Sequence, residues 1–293
     1  MVVTLTGIFA LSGANCPNMV RPTAPLLPRV LPPSPTLDQV IQVVNGNNSQ
    51  IQTFWTDRAT ISGAGFPALR ASLAFQRPKF FRMQAVSGLT GPEVDLGSNP
   101  DFFWFWIRRS EPSAIYYCRH DQFATSPARY SIPVQPDWLI EALGVTELDP
   151  NLPHQGPFPL QGDQLEVRTI RETPDGPVTK VTILDGSQGW VLEQNIYNAQ
   201  GLLLASAVAS QHRRDPLSGL VMPGVVVVNC PTAQFSMRID LGAVQINRLS
   251  GNPAELWNIP TIQGVPAVNL AQPNQQPLAA QPAGIMPMPQ GRP

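Results

Sequence analysis

Residues 69–85 read LRASLAFQRPKFFRMQA. In 69–76, Leu69, Ala71, Leu73 and Phe75 alternate with Arg70, Ser72, Ala74 and Gln76. In 80–85, Phe81, Met83 and Ala85 alternate with Phe80, Arg82 and Gln84. A period of two is the period of a β-strand, whose successive side chains point to opposite faces. The link between the two runs is too short for a crossover helix, so these strands are antiparallel neighbours.

The same reading extends downstream. Residues 101–109, DFFWFWIRR, form a strand with Phe102, Trp104 and Trp106 on one face and Phe103, Phe105 and Ile107 on the other. Both faces are apolar, so both must be covered: one by a cavity or its contents, the other by the 125–162 segment or a helix. Phe103 and Phe105 are the better cavity-lining pair, because a Trp uses its edge N–H near water. Further strands are expected near 114–120, 164–173, 178–184, 189–197, 202–213, 224–230, 234–241 and 243–247. Pro174-Asp175-Gly176, Asp185-Gly186 and Asn198-Ala199-Gln200-Gly201 supply turn chemistry between them.

Two helices interrupt the pattern. Over 36–55, Leu37, Val40, Ile41, Val44, Ile51 and Trp55 fall at helical spacing, with Thr36 as N-cap and Asp38 in the first turn. QPDWLIEALG, 135–144, starts with Pro and Asp and ends on Gly144, a C-cap residue. About ten or more antiparallel strands with so few helices tend to curl. The expected fold is mainly β: an incomplete, half-closed barrel with the 36–55 helix on its concave side and the short helix as a further lid. Ala205, Ala207 and Ala209 make a small-residue stripe on one face of 202–213. Either a closely packed helix or a ligand fits over such a stripe.

The two ends differ from the middle. Residues 1–16 have the apolar stretch of an export signal, with small residues Ser12-Gly13-Ala14 before a cleavage point. LSGANC also approximates a lipobox, which makes Cys16 a candidate for lipidation and membrane anchoring. Cleavage after Ala14 would instead give a soluble protein. Residues 17–35 are Pro-rich and read as an extended spacer, and 251–293 read as a Pro/Gln-rich disordered tail. The folded domain is therefore expected over 36–250.

The 293 residues carry a formal net charge of -1 and only 13% charged residues. A near-neutral chain without a basic block has no electrostatic footprint for nucleic acid. Cys16, Cys118 and Cys230 have no metal or redox spacing. Cys118 and Cys230 are either buried free thiols or, in an oxidising compartment, a pair. His120, His154 and His212 are scattered, and no metal or cofactor motif is present. RHD at 119–121 puts His120 and Asp121 on opposite faces of a strand; a Ser-His-Asp site could arise only from residues brought together in space. The residues point to a non-enzymatic protein with a surplus of apolar surface, as in curled sheets that bind lipids.

LAFQRPKFFRMQA, 73–85, resembles the LolA/LolB family, the periplasmic lipoprotein carrier and its outer-membrane receptor in Gram-negative bacteria. Arg77, Pro78 and Phe81 match the family's Arg-Pro-x-x-Phe core, and Trp104 matches a strand Trp. Leu96-Gly97 falls where the family often has an Asp-Gly turn. The resemblance covers about 36–120 and implies an incomplete barrel with a helical lid, an envelope location and the acyl chains of lipids or lipoproteins as ligand. It implies that Arg77 ties the barrel edge to the lid and that Phe81 lies near the cavity opening. Phe75, Phe81, Met83, Phe103 and Phe105 are then the candidate cavity residues. The alternative is a structural or interaction protein of the envelope whose concave face is filled by its own helix.

Overall fold

A computed structural model describes residues 27–63, 66–127, 129, 137–173 and 175–272. The signal-like segment with Cys16 and the end of the tail lie outside these residues. The first helix, α1, is Leu37–Asn48. Thr36 Oγ1 accepts from the Gln39 amide while the Gln39 side chain accepts from the Thr36 amide, so both ends of the capping box are made.

The strands of the first half are β1 (Thr53–Gly63), β2 (Phe66–Gln76), β3 (Phe80–Ser87), β4 (Gly91–Ser98), β5 (Phe102–Ile107) and β6 (Ile115–Arg119). Those of the second half are β7 (His154–Leu160), β8 (Gln164–Thr173), β9 (Gly176–Asp185), β10 (Val191–Tyr197) and β11 (Leu203–Ser210). Then follow β12 (Arg213–Arg214), β13 (Val221–Met222), β14 (Val225–Cys230), β15 (Phe235–Asp240), β16 (Gln245–Ile246) and β17 (Ala267–Asn269). Fifteen of them form one sheet, in the order β17-β6-β5-β4-β3-β2-β1-β15-β14-β11-β10-β9-β8-β7, with β16 on β1. Every pairing is antiparallel except β17 with β6. The path ends at β17 and β7, so the sheet is an open half-barrel, as the alternation predicts.

The concave side has two occupants. Val40 and Val44 of α1 pack with Leu148, Leu165, Val167, Leu184 and Val191, over β8 to β10. The middle is filled by residues 137–146, a short helix Asp137–Ile140 continued by a wider turn Glu141–Val145 and ended where Gly144 takes φ 105°. Trp138, Ile140, Leu143 and Val145 pack there against Phe54, Leu73, Phe75, Val226 and Ile239. This lid, not α1, lies over Ala205, Ala207 and Ala209, all buried in the same cluster. A packed helical segment is therefore the use of the small-residue stripe.

Some expectations need correction. The helix stops at Asn48, and Trp55 belongs to β1. A register shift between Thr56 and Ala59 breaks the alternation of β1, so its sequence shows no clean period of two. Leu96-Gly97 is not a turn: it lies inside β4, opposite Phe105 and Trp104. Gly97 is needed because a Cβ there would lie 2.0 Å from Trp104 Cζ2.

The spacer and the tail are also partly built into the domain. Arg29 pairs with Asp163 at 2.7 Å, the Val30 and Leu31 amides donate to Ser187 O, and Leu31 is buried with α1. Residues 251–272 form a strap across the convex side. Trp104, Trp106 and Ile115 are covered by Ile259, Ile262 and Val265 of this strap rather than by the 125–162 segment. Beneath it, Arg82 bridges strap and sheet. Its guanidinium donates to Leu256 O at 3.1 Å and Asn258 O at 2.9 Å, and pairs with Asp95 at 2.6 Å. Trp104 Nε1 donates to the other Asp95 oxygen at 3.3 Å. The carboxylate is buried, and these donors compensate its lost hydration.

Candidate functional site

An apolar chamber of about 300 Å³ lies between the lid and the sheet. Alternation sends Phe81 of β3, Leu96 of β4, and Phe103, Phe105 and Ile107 of β5 to its wall. Leu139 and Ile140 of the lid form its roof, and Val228, Cys230, Phe235 and Met237 close the far side. Among the described residues no charged side chain lines it, and Ser98 supplies the one hydroxyl. Ile107 and Phe235 are partly exposed, so the apolar wall reaches solvent.

Of the candidate cavity residues, Phe81, Phe103 and Phe105 line this chamber together. Phe75 and Met83 do not: both are buried in the central core, Phe75 stacked on Phe54 at 5.2 Å between ring centres. Trp104 stands with its indole on the convex side, hydrogen-bonded to Asp95 under the strap. Leu96, Met237 and the lid residues Leu139 and Ile140 complete the chamber without having been singled out by the sequence. Concave-face parity marks Leu96 and Met237, but nothing in the sequence says where the lid leaves a void.

The Arg77–Pro78 turn reaches both occupants of the groove. Arg77 Nε donates to Ile51 O at 2.9 Å and Nη2 to Asn48 O at 2.6 Å, at the C-terminal end of α1 where a cation suits the helix dipole. Arg77 Nη1 also pairs with Glu147 at 2.6 Å, just after the lid, and Lys79 pairs with Asp137 at 2.7 Å, at its start. Asn48 Nδ2 donates to Thr146 O at 2.6 Å, joining α1 to the lid directly.

The middle of the lid is held by a buried ion pair. Lys180 Nζ bonds Glu141 Oε2 and donates to Thr146 Oγ1 at 2.7 Å. Burial by itself would push the Glu141 carboxyl up; the Lys180 charge and hydrogen bond, with Arg171 and Thr146, outweigh it and hold the carboxyl below its ordinary range.

Each histidine is hydrogen-bonded within the fold. His120 Nε2 lies 3.2 Å from Ser98 Oγ, and its Nδ1 3.7 Å from Asp137 Oδ1, an outline of a Ser-His-Asp series. Nε2 is also 2.9 Å from Asn99 O. A carbonyl only accepts, so in the tautomer that donates to Asn99 O, Nε2 has no lone pair with which to activate Ser98. His154 bridges Thr169 and Asp149 O, and His212 stacks on Trp190 while bonding Val191 O. Cys118 and Cys230 are free and buried, and burial pushes both thiols up. Among the described residues no cluster of metal-ligating side chains occurs, and no helix is long and apolar enough to cross a membrane.

A long open sheet, a helical lid in its concavity and an apolar chamber beneath define a class of half-barrels built around a groove. Solved structures share that architecture. A structure described as an outer membrane lipoprotein-sorting protein domain, from Vibrio parahaemolyticus, matches with a TM-score of 0.51 at 10% identity, covering 74% of this chain and 94% of that one. A LolA superfamily protein from Nitrosomonas europaea matches with a TM-score of 0.47 at 10% identity, over 76% and 97% of the two chains. A DUF1329 family protein from Desulfovibrio piger has a TM-score of 0.48 at 11% identity, over 74% and 96%. No protein-family model and no curated relative matches the sequence. At this identity the likeness is one of fold.

Proposed function

We propose that this is a cell-envelope protein that binds the acyl chains of lipids or lipoproteins in the chamber under its lid, in the manner of a lipoprotein-trafficking carrier or acceptor. The observation that carries the reading is the chamber itself: about 300 Å³, bounded by apolar side chains, free of charge and open to solvent at an apolar rim. Burial is worth ~0.8 kcal/mol per methylene, so a chain of about fifteen carbons offers on the order of 12 kcal/mol gross without any polar anchor. The lipoprotein-sorting description of the Vibrio structure supports the same reading. Export, and either lipidation of Cys16 or cleavage after Ala14, belong to this proposal; Cys16 would make the protein a membrane-anchored acceptor.

The test is displacement of an anthroyloxy-labelled fatty acid from the full chain, with Phe105→Arg as the comparison. The wild type should bind the probe, and the variant, with a charge in the chamber wall, should lose it. A wild type that leaves the probe free in solution would reject the proposal. That outcome would favour a second reading, an interaction protein with a self-filled groove, which the burial of Leu143 and Ile140 in the concave middle supports.

A further inference from the structure

Beyond the lid from the chamber lies a second cavity of about 290 Å³, and Trp138 lines both. The second cavity differs in chemistry. Its walls combine Phe123, Val178, Ile196 and Leu204 with Arg171 and Glu141. Among the described residues, two donors at this cavity, Trp138 Nε1 and Arg171 Nε, and one acceptor, Asp137 Oδ1, are buried atoms with no hydrogen-bond partner. Trp138 itself is only 5% exposed. A buried donor left unmade costs free energy, and folded proteins leave few of them. Two such donors against one such acceptor leave the void short of an acceptor from outside.

The charge around them narrows what that acceptor is. The lining includes four carboxylates, Asp137, Glu141, Glu172 and Asp175, against three cations, Arg129, Arg171 and Lys180. Lys180 is committed to Glu141, and Arg129 pairs with Asp175 at 3.2 Å. An anionic head would meet an excess of negative charge, whereas an uncharged carbonyl would satisfy both donors without that cost.

We infer that this cavity is a headgroup compartment that receives the ester carbonyls of an acylglycerol, while an acyl chain passes Trp138 into the apolar chamber. The inference rests on the acyl-binding reading and adds to it. Ester carbonyls sit at the junction of head and chain, and Trp138 sits at the junction of the two cavities.

The experiment compares 1,2-dioctanoylglycerol with its ether analogue 1,2-di-O-octylglycerol, which has the same chains and no carbonyls. Each displaces the anthroyloxy probe from the full chain, from Trp138→Phe and from Arg171→Gln. The wild type should prefer the ester by roughly three- to tenfold, the worth of one or two such hydrogen bonds. Both variants should lose the preference, read as the ratio of ester to ether affinity within each protein. Equal affinity of the wild type for the two ligands, or a preference that survives in both variants, overturns the compartment and leaves acyl binding standing. Failure to bind either ligand overturns both.

Discussion

The two flanks of the concave groove share one sheet and end in opposite states. Over one end of β8 to β10, α1 inserts Val40 and Val44 among Leu165, Val167 and Leu184 and packs that end. Over β3 to β5, the lid stops at Leu139 and Ile140, and a chamber remains. The lid is tied to β9 by charge as well, through Lys180 and Glu141, whereas among the described residues no charged group lines the chamber. One flank therefore stabilises the fold, and the other keeps an apolar void.

The largest expected effect comes from the tie. Lys180→Met leaves Glu141 buried without its partner and should cost about 3–5 kcal/mol in denaturant unfolding. Adding Glu141→Leu should recover most of that loss. The same carboxyl gives the tie a pH dependence. Its folded pKa lies below the unfolded value of about 4.3, so its stabilisation is full above that value and is lost as pH falls through the folded pKa. Thermal melts of the wild type should fall in that acid window more steeply than those of Glu141→Gln.

Next come paired truncations on the two flanks. Leu184→Ala, on the filled side, should cost about 2–5 kcal/mol, because it opens a cavity in a packed cluster. Phe105→Ala, on the vacant side, should cost about 1 kcal/mol, the value of its stacking on Tyr116, yet weaken probe binding. Equal costs would erase the distinction between the flanks.

The smallest effect concerns the thiols, read by alkylation rates in a Cys16→Ser background. Both Cys118 and Cys230 should react slowly at pH 7.5, since burial disfavours their thiolates. Only Cys230 lines the chamber, so a bound acyl ligand should slow Cys230 further and leave Cys118 unchanged.

What the sequence made legible follows from where period two is intact. The alternation of 69–85 and 102–107 displayed β2, β3 and β5, and with them the parity that sends Phe81, Phe103 and Phe105 to the chamber. It failed where the backbone breaks the period. The shift between Thr56 and Ala59 hid β1, and Gly97, cleared for the Trp104 indole, hid β4 behind a turn-like signal. The strap was illegible for another reason. Ile259, Ile262 and Val265 each meet the sheet from an irregular segment, and irregular segments have no period to read. Phe75 and Met83 share the chamber's parity but lie under the lid, and the position of the lid is a tertiary fact.

The strap has one more consequence. A long sheet with two free edges invites other chains to add strands to it. Here β17 runs parallel to β6 and occupies its edge, from Ala267 beside Ile115 to Asn269 beside Tyr117. The opposite border, β7, carries Pro157 and Pro159, which have no N–H to donate to an incoming strand. This open sheet thus has one border occupied and the other chemically blunted, which guards it against polymerising through its own backbone.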